Sequence, residues 1–503
     1  MDTTKLTLHT GFAIGAVDPR VFGGFIEHMG RCVYEGLYQP GSRQADAHGY
    51  RKDVLGALAQ LRFTAMRYPG GNFVSGYHWR DGVGPVSARP TRYEMAWHSI
   101  EPNRFGTNEF MRLARQMGWS PMLAVNLGTG TVEEAARYVE YCNLPAGTVE
   151  TDARAAHLTA LGLPPAPHGV KLWCLGNEMD GPWQVGHRPA RDYAITANSA
   201  GRAMKMVDPT VELVVCGSCG TGMHSYMAWD REVLELTADT VEYVSLHRYV
   251  GNRENDTANY LAVTNSIDKQ IEEMDACCRF VQAQRRMERR VQLCFDEWNV
   301  WYKDMTMDGK GVHAPHLIEE VYNLEDALVV AGFLMSFLRH ADCVKIANLA
   351  QVVNIIAPIL TRGDEMLVQT IFHPIRMIAD RREGVSLRTA LTGPRYKSKS
   401  YGEANRIDAA AIFDAAGKRL SVFLTNRSQK ETATVAVDLA DLRIDGVVSA
   451  EVVTGKNAKA VNRFGRPPAV AAAPLKTVAV KGGTGQVKLP ALGFAAVTFS
   501  VRG

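Results

Sequence analysis

The sequence has no apolar run long enough to cross a bilayer as a helix. The longest such run, residues 328–338, predicts a buried helix instead. The N-terminal residues lack the apolar segment of a signal peptide. The nine cysteines are an odd number, and several lie within apolar strand patterns, as small buried hydrophobic residues do. These features predict free thiols and a cytoplasmic protein.

A strong charge of one sign is also missing. The formal net charge is +3 over 503 residues, so neither nucleic acid nor a charged membrane surface is an expected partner. The composition, 46% hydrophobic and 22% charged, is that of a globular protein. The length predicts two domains rather than one.

Between residues 19 and 382, apolar strand patterns alternate with amphipathic helical patterns. This alternation predicts parallel βαβ units, and eight of them predict an α/β fold of the (β/α)8 TIM-barrel type. The insertion 82–106 is expected to lie over the catalytic face as a lid or substrate wall. The predicted strands are 21–28, 63–68, 122–127, 170–175, 213–216, 241–246, 292–295 and 343–346. The predicted helices include 46–61, 108–117, 132–142, 189–207, 266–287 and 325–340.

The pattern changes after residue 382. Short alternating segments separated by turn residues replace the helical periodicity, which predicts an antiparallel, jelly-roll-like β-sandwich over residues 383–503. An N-terminal strand within residues 1–18 is expected to join this sandwich, because chain termini often lie close together. The catalytic barrel is therefore expected to occupy residues 19–382.

Two apolar segments end abruptly in carboxylates. Residues 171–176 run into Asn177 and Glu178, and residues 291–295 run into Asp296 and Glu297. Buried parallel strands that end in an active site have this pattern. Paired carboxylates are the groups that glycoside hydrolysis uses, one as acid and the other as nucleophile or base. The sequence therefore predicts that Glu178 and Glu297 form a catalytic pair.

Other polar residues also fall at the ends of predicted strands, where a barrel brings them to one mouth. Arg67 and Tyr249 are expected to keep Glu297 ionised, and Asn177 to bond a sugar 2-hydroxyl. Trp173 and Trp183 are candidates for an apolar wall that raises the pKa of the acid. The complete set at the strand ends is Glu27, Arg67, Asn72, Asn126, Asn177, Glu178, His247, Tyr249, Glu297 and Gln351.

Several of these segments together resemble glycoside hydrolase family 51, the α-L-arabinofuranosidases. The matching segments are 22–28 (FGGFIEH), 67–72 (RYPGGN), 173–184 (WCLGNEMDGPWQ), 245–249 (SLHRY), 295–301 (FDEWNVW) and 350–351 (AQ) with Asn354 after it. The resemblance extends over nearly the whole chain, including the predicted sandwich.

The resemblance implies a retaining, exo-acting enzyme that releases terminal α-L-arabinofuranosyl residues from oligo- or polysaccharides. It implies Glu178 as acid/base and Glu297 as nucleophile, with Arg67 and His247 in support. It also implies no cofactor, no metal and a homo-oligomer, often a hexamer. The residues that it assigns to substrate binding are Glu27, Asn72, Asn177, Tyr249 and Gln351, with Trp97 and Trp301 as aromatic walls.

Three other interpretations remain open at this stage. An endo-acting β-glucanase or another glycosidase can occupy the same barrel, because loop lengths decide between a pocket and a cleft. A non-catalytic carbohydrate-binding protein is the second, since the fold alone does not decide function. The third is a metal hydrolase that uses His313 and His316, although no suitable carboxylates accompany them in the sequence.

Overall fold

The computed structural model describes residues 3–502. The strands, in chain order, are β1 (Thr3–Leu8), β2 (Ala13–Ala16), β3 (Gly23–Phe25), β4 (Ala65–Tyr68), β5 (Arg92–Glu94), β6 (Ser99–Glu101), β7 (Ser120–Val125), β8 (Leu172–Leu175), β9 (Glu212–Val215), β10 (Tyr243–Val250), β11 (Gln292–Val300), β12 (Val344–Ala350), β13 (Ile359–Arg362), β14 (Glu365–Val368), β15 (Val385–Leu387), β16 (Ala390–Thr392), β17 (Arg395–Lys397), β18 (Glu403–Asn405), β19 (Ile407–Asp414), β20 (Arg419–Asn426), β21 (Ala433–Leu439), β22 (Arg443–Val453), β23 (Ala472–Pro474), β24 (Val478–Lys481), β25 (Thr484–Leu489) and β26 (Gly493–Arg502).

The α-helices are α1 (Lys52–Gln60), α2 (Thr107–Met117), α3 (Val132–Asn143), α4 (Val149–Ala160), α5 (Ala190–Val207), α6 (Ala228–Thr237), α7 (Thr257–Leu261), α8 (Thr264–Gln284), α9 (Leu324–Arg339) and α10 (Phe372–Ala379). Short 3-10 helices cover Pro19–Val21, Asn72–Gly76, Trp79–Gly82 and Val86–Ala88.

Eight parallel strands close into a barrel in the order β3-β4-β7-β8-β9-β10-β11-β12, with β12 pairing back to β3. The predicted (β/α)8 barrel is therefore confirmed. Side chains from alternate strand positions fill the interior, among them Met122, Leu172, Val214 and Ile346. The barrel is thus a packed core, and a site can form only at its mouth.

Several predicted ends of strands and helices are wrong. Strands β10, β11 and β12 run four or more residues beyond the predicted ends at 246, 295 and 346. Polar residues suggested strand ends, but those of β10 and β11 lie within the strands and are bonded to one another, as Ser245 is to Asp296 and Tyr249 to Glu297. The predicted helix 46–61 begins only at Lys52, since the Asp46 carboxylate accepts the backbone N–H groups of His48 and Tyr50 in a turn. Helices α4, α6, α7 and α10 lie outside the predicted helical ranges.

The remaining strands form two further large sheets. One has the order β16-β1-β21-β25-β24 and the other β2-β15-β19-β20-β26-β22-β23. Their facing sides share a core that includes Leu6, Val435, Val487 and Val497. The predicted β-sandwich is present, but it is not wholly antiparallel, because β1 pairs parallel with β21. The N-terminal strands β1 and β2 each belong to one of these sheets.

Helix α9 joins the barrel to the sandwich. All its residues from Leu324 to Leu338 are buried, because barrel strand β11 lies on one side and sandwich strands β19 and β20 on the other. The apolar run 328–338 falls within this helix, as predicted. Within residues 3–502, no helix has the length and apolar character needed to cross a membrane.

Candidate active site

A cavity of about 440 Å³ opens at the C-terminal ends of the barrel strands. Eight of the predicted site residues line it: Glu27, Asn72, Trp97, Glu178, Tyr249, Glu297, Trp301 and Gln351. Arg67, Asn177 and His247 are buried and bonded to these residues. The cavity is also lined by Met29, Gly71, Ala96, Trp183, Cys219, Met307, Ile318 and Ile356.

Glu178 follows strand β8 in a strained backbone conformation, with φ of +44°. A non-glycine residue in this region costs free energy and is typical of functional sites. Its side chain is held at both oxygens. The indole Nε1 of Trp183 donates to Oε2 at 2.7 Å, and His247 Nδ1 lies 2.8 Å from Oε1. Trp183 is 53% exposed, so one wall of the cavity beside Glu178 is open to incoming groups.

Glu297 lies within strand β11 and is almost fully buried. Arg67 Nη1 donates to its Oε1 at 2.6 Å, and the Tyr249 hydroxyl donates to its Oε2 at 2.8 Å. The register of β10 against β11 places His247 beside Glu297 after an irregularity between Ser245 and His247. Such irregularities turn side chains towards a site.

The two carboxylates face each other. One oxygen of Glu178, one of Glu297 and one ring nitrogen of His247 all lie within 4.8 Å of one another. Three such groups are a possible cation site. However, each of the four carboxylate oxygens already contacts a hydrogen-bonding nitrogen or hydroxyl from Trp183, His247, Arg67 or Tyr249. The arrangement is therefore that of a hydrogen-bonded acid pair.

Beneath the pair, two positive groups face two buried carboxylates. Arg67, with 0% exposure, has its Nε 3.4 Å from Asp296 and its Nη1 on Glu297. His247 Nε2 lies 3.2 Å from Asp296 Oδ1. Burial opposes the charged imidazole, but Glu297 and Asp296 raise the pKa of His247 well above its ordinary value. Two charges of each sign therefore compensate one another, as buried charges must.

The pKa of Glu297 reflects several opposing effects. Burial raises it, His247 and Arg67 lower it, and the neighbouring Glu178 raises it, with a net upward shift from 4.5. Burial and the Glu297 charge raise the pKa of Tyr249 well above its ordinary value. Tyr249 consequently keeps its proton and remains a hydrogen-bond donor to Glu297.

Glu27 occupies the opposite wall. Its Oε1 accepts the backbone N–H of Phe73 at 3.0 Å and the indole N–H of Trp97 at 3.1 Å, and Gln351 Nε2 donates to Oε2 at 2.9 Å. The carboxylate packs directly on Gly71, where any Cβ would meet Oε2 at 2.5 Å. Burial and the Glu297 charge raise the pKa of Glu27 to about 8.

A chain of amides links the pair to the cavity floor. Arg67 Nη2 donates to Asn177 Oδ1 at 2.6 Å, and Asn177 Nδ2 donates to Asn72 Oδ1 at 3.1 Å. Gln184 Nε2 donates to the Asn72 carbonyl at 3.4 Å. These contacts fix the side-chain amides of both residues, and of the two it is Asn72 that lines the cavity.

Aromatic side chains form the upper walls. Trp301 packs edge-on against Tyr249, with ring centroids 5.6 Å apart, and its indole N–H donates to the Asp304 carbonyl. Trp97 belongs to the predicted insertion, and its carbonyl accepts the N–H of Gly309 at 2.8 Å. The loop after β11 thus braces the insertion, and the two segments close the cavity together.

Known proteins resemble this chain both in sequence and in structure. Residues 57–267 match the family model for the α-L-arabinofuranosidase 1 domain, and residues 296–492 match that for the α-L-arabinofuranosidase C-terminal domain. The intracellular exo-α-(1→5)-L-arabinofuranosidase of Halalkalibacterium halodurans is 43% identical over 92% of this chain and 92% of its own. A solved structure of a family 51 α-L-arabinofuranosidase from Bifidobacterium longum has a TM-score of 0.94 and 34% identity, covering 99% of this chain and 100% of its own.

The chain belongs to glycoside hydrolase family 51, the α-L-arabinofuranosidases. The predicted family is confirmed. A further relative, from Bifidobacterium longum, is named an exo-α-(1→6)-L-arabinofuranosidase and is 39% identical over 99% of this chain and 97% of its own. The named relatives therefore differ in the linkage for which they are named.

Some residues predicted from the sequence lie away from the family 51 site. Asn126 is a loop cap, since its Oδ1 accepts the N–H groups of Gly128, Thr129 and Gly130. Trp173 packs edge-on against Tyr138 and donates to the Val170 carbonyl, so Trp183 alone supplies the wall beside Glu178. His313 lies near the Ile100 carbonyl and His316 near Glu319, and neither belongs to a group of potential metal ligands among residues 3–502.

Sequence reasoning missed three polar members of this family 51 site. Asp296 and Ser245 are hydrogen-bonded to each other beneath the pair, and Gln184 holds Asn72. Asp296 adjoins Glu297 in sequence, but strict alternation would send the two to opposite faces. The irregular register of β11 between Phe295 and Trp298 allows both to face the site. Paired carboxylates at one strand end were the available clue.

Proposed function

We propose that this chain hydrolyses terminal α-L-arabinofuranosyl residues from arabinose-containing oligo- and polysaccharides by double displacement with retention of configuration. The observation that carries the proposal is the approach of the Glu178 and Glu297 carboxylate oxygens to within 4.8 Å. Retaining glycosidases hold their carboxyl groups about 5–5.5 Å apart, and inverting enzymes about 6.5–9.5 Å. At the retaining separation no water fits between the nucleophile and the anomeric carbon, so Glu297 would attack that carbon itself.

In the first step, Glu178 donates its proton to the glycosidic oxygen while Glu297 attacks the anomeric carbon from the opposite face. The bond to the leaving group breaks, and a glycosyl ester of Glu297 forms. Trp183 and His247 fix the direction of the Glu178 carboxyl group.

In the second step, Glu178 accepts a proton from a water that attacks the same carbon, and Glu297 leaves as the carboxylate. Arg67 and Tyr249 donate to both oxygens of that leaving carboxylate. Their hydrogen bonds favour the ionised form of Glu297. They therefore lower the barrier to ester cleavage and orient the carboxylate for the next attack.

We assign furanose recognition to the polar groups around the pair. Asn177, whose amide is held by Arg67 and Asn72, would bond the sugar 2-hydroxyl, a contact that strengthens in the transition state. Glu27, Asn72, Tyr249 and Gln351 supply further donors and acceptors, with Trp97 and Trp301 as walls. Because loops carrying Trp97 and Trp301 close the cavity, a chain end fits it better than the interior of a polymer, which disfavours an endo-acting glucanase.

We also propose the setting in which the activity operates. Residues 19–382 would form the catalytic barrel, and residues 1–18 and 383–503 the supporting sandwich. A relative 43% identical is named an intracellular enzyme, which supports a cytoplasmic location. A homo-oligomer, often a hexamer, is the assembly implied by the family, and light scattering of the purified protein would measure its mass.

A panel of aryl glycosides tests the proposal. We expect hydrolysis of an aryl α-L-arabinofuranoside to exceed that of the matching xyloside, galactofuranoside and glucoside by orders of magnitude. Soluble β-glucan should not be cleaved internally. Preference for the glucoside, or a fall in β-glucan viscosity, would support the glucanase instead. Binding of arabino-oligosaccharides without turnover of any glycoside would support a non-catalytic carbohydrate-binding protein.

A further inference from the structure

A second cavity lies on the outer side of the Trp97 wall. It has a volume of about 340 Å³, and its lining includes Phe73, Tyr77, Tyr93, Glu94 and Asn103. Pockets of this size accommodate small organic ligands. We refer to it as the outer cavity. It is distinct from the active-site cavity, because no residue lines both.

The outer cavity and the active site share a wall. The segment Asn72–Phe73 contributes Asn72 to the active site and the Phe73 ring to the outer cavity. Likewise, Glu94 lines the outer cavity, whereas Ala96 and Trp97 line the active site. A chain that leaves the active site over this wall therefore meets the outer cavity next.

The lining combines aromatic faces with polar groups. Tyr93 is 58% exposed and stands at the mouth, while Phe73 and Tyr77 pack against each other within, with ring centroids 4.8 Å apart and ring planes tilted by 33°. The polar side chains of His78, Asp81 and Arg92 also line the cavity.

The charges of the outer cavity favour a neutral ligand. Arg92 pairs with Asp81 at 2.8 Å, which offsets that carboxylate. Glu94 accepts the N–H groups of Ala96 and Trp97, and Glu101 accepts that of Asn103. These carboxylates repel anions. Their oxygens already accept hydrogen bonds, so few lone pairs remain to bind a cation. A sugar hydroxyl both donates and accepts, so a neutral sugar can bond the polar side chains that line the cavity, directly or through a water that it orders.

We propose that the outer cavity is a second carbohydrate-binding site, which holds a neutral sugar unit of the substrate chain beyond those in the active site. The proposal rests on the proposed function, because the ligand is the remainder of the arabinose-containing chain. Glu94 connects the two sites physically, since it lines the outer cavity and also bonds the Trp97 backbone at 2.6 Å. The site would therefore select longer chains.

The kinetic test compares Tyr93→Ala with the unaltered protein on an aryl α-L-arabinofuranoside, α-1,5-linked arabinobiose and α-1,5-linked arabinopentaose. The readout is the kcat/KM for the pentaose divided by that for the biose. Loss of an aromatic platform is expected to lower this ratio about tenfold, through KM. Tyr93→Phe keeps the ring face and should retain most of the ratio.

Phe280→Ala is the matched control, because Phe280 is an aromatic residue with 52% exposure on helix α8. It should leave the ratio unchanged. An unchanged ratio in Tyr93→Ala would overturn the second site while leaving the proposed function intact. Failure of the unaltered protein to cleave the aryl arabinofuranoside would instead overturn the proposed function, whatever the ratio.

A structural test is independent of the rates. Crystals of the Glu178→Gln protein soaked with arabinopentaose should show a sugar ring between Tyr93 and Asn103. A chain that leaves the active site past Trp183, with the outer cavity filled by water alone, would overturn the proposal.

Discussion

One carboxylate oxygen of Glu178 lies within 4.8 Å of one of Glu297, although Glu178 follows strand β8 and Glu297 lies within strand β11. Separate donors fix each of them: Trp183 for Glu178, and Arg67 with Tyr249 for Glu297. This asymmetry is what a double displacement requires. One carboxyl group must exchange protons with leaving groups, while the other must remain ionised and attack.

Replacing Glu178 by Ala should slow substrates with poor leaving groups most, because these need protonation. Activated aryl arabinofuranosides should lose less in the first step. Added azide should restore turnover and give an arabinosyl azide, detectable by mass spectrometry. Equal losses for all leaving groups, without azide rescue, would remove Glu178 from the acid/base role.

Glu297 should become covalently glycosylated by a slow 2-fluoro arabinofuranosyl substrate. Peptide mapping should locate the adduct at Glu297, and NMR of early product should show the retained anomer. Glu297→Gln should give no adduct. Its activity should be lower by about 10⁴-fold or more, as in other enzymes from which the nucleophile is removed. An inverted product would refute the nucleophile assignment.

Activity should decline as the pH falls through the pKa of Glu297, because Glu297 must be ionised to attack. Since this pKa is raised from 4.5, the decline should begin above pH 4.5. His247 lowers this pKa, so His247→Gln should move the acidic limb of kcat/KM to higher pH. His316→Gln is the control, since His316 is exposed and outside the site. A limb that does not move, or moves downwards, would argue against a charged His247.

Trp97→Phe should retain the wall but lose the indole hydrogen bond to Glu27, lowering kcat/KM about tenfold. Trp97→Ala also removes the buried ring and should lose considerably more. Trp301→Ala should lower kcat/KM for all substrates, because the Trp301 ring packs against Tyr249. If Trp97→Ala left kinetics with oligosaccharides unchanged, Trp97 would not be a substrate wall.

Glu27 should make the protein less stable as pH rises. Its pKa is about 8 in the folded protein against 4.5 ordinarily, so the folded state keeps a proton that the unfolded chain loses. The free energy of unfolding should fall between about pH 4.5 and pH 8, by at most about 1.4 kcal/mol per pH unit. Glu27→Gln should flatten this slope in denaturant titrations. Glu133→Gln, at an exposed position, should leave it unchanged, and equal slopes in all three proteins would contradict the raised pKa.

The barrel and the catalytic pair were predictable because parallel strands must bring their ends together. The local sequence pattern did not indicate whether Trp173 or Trp183 forms the wall beside Glu178, because the two are equally near Glu178 in sequence. Strand alternation sends Trp173 outwards to Tyr138, whereas Trp183 follows a turn back to the carboxylate. The outer cavity was not predictable either, since it depends on how the insertion folds over the 3-10 helix Asn72–Gly76.

The pairing of β1 with β21 has a consequence for biosynthesis. Thr3 lies opposite Thr434, and β1 is flanked on both sides by strands from the C-terminal part of the chain. At about 5–20 residues per second, β1 leaves the ribosome roughly 20–90 s before its partners exist. During that interval both of its hydrogen-bonding edges are open to other chains. Chaperone binding to this nascent segment would therefore protect the folding of the whole protein.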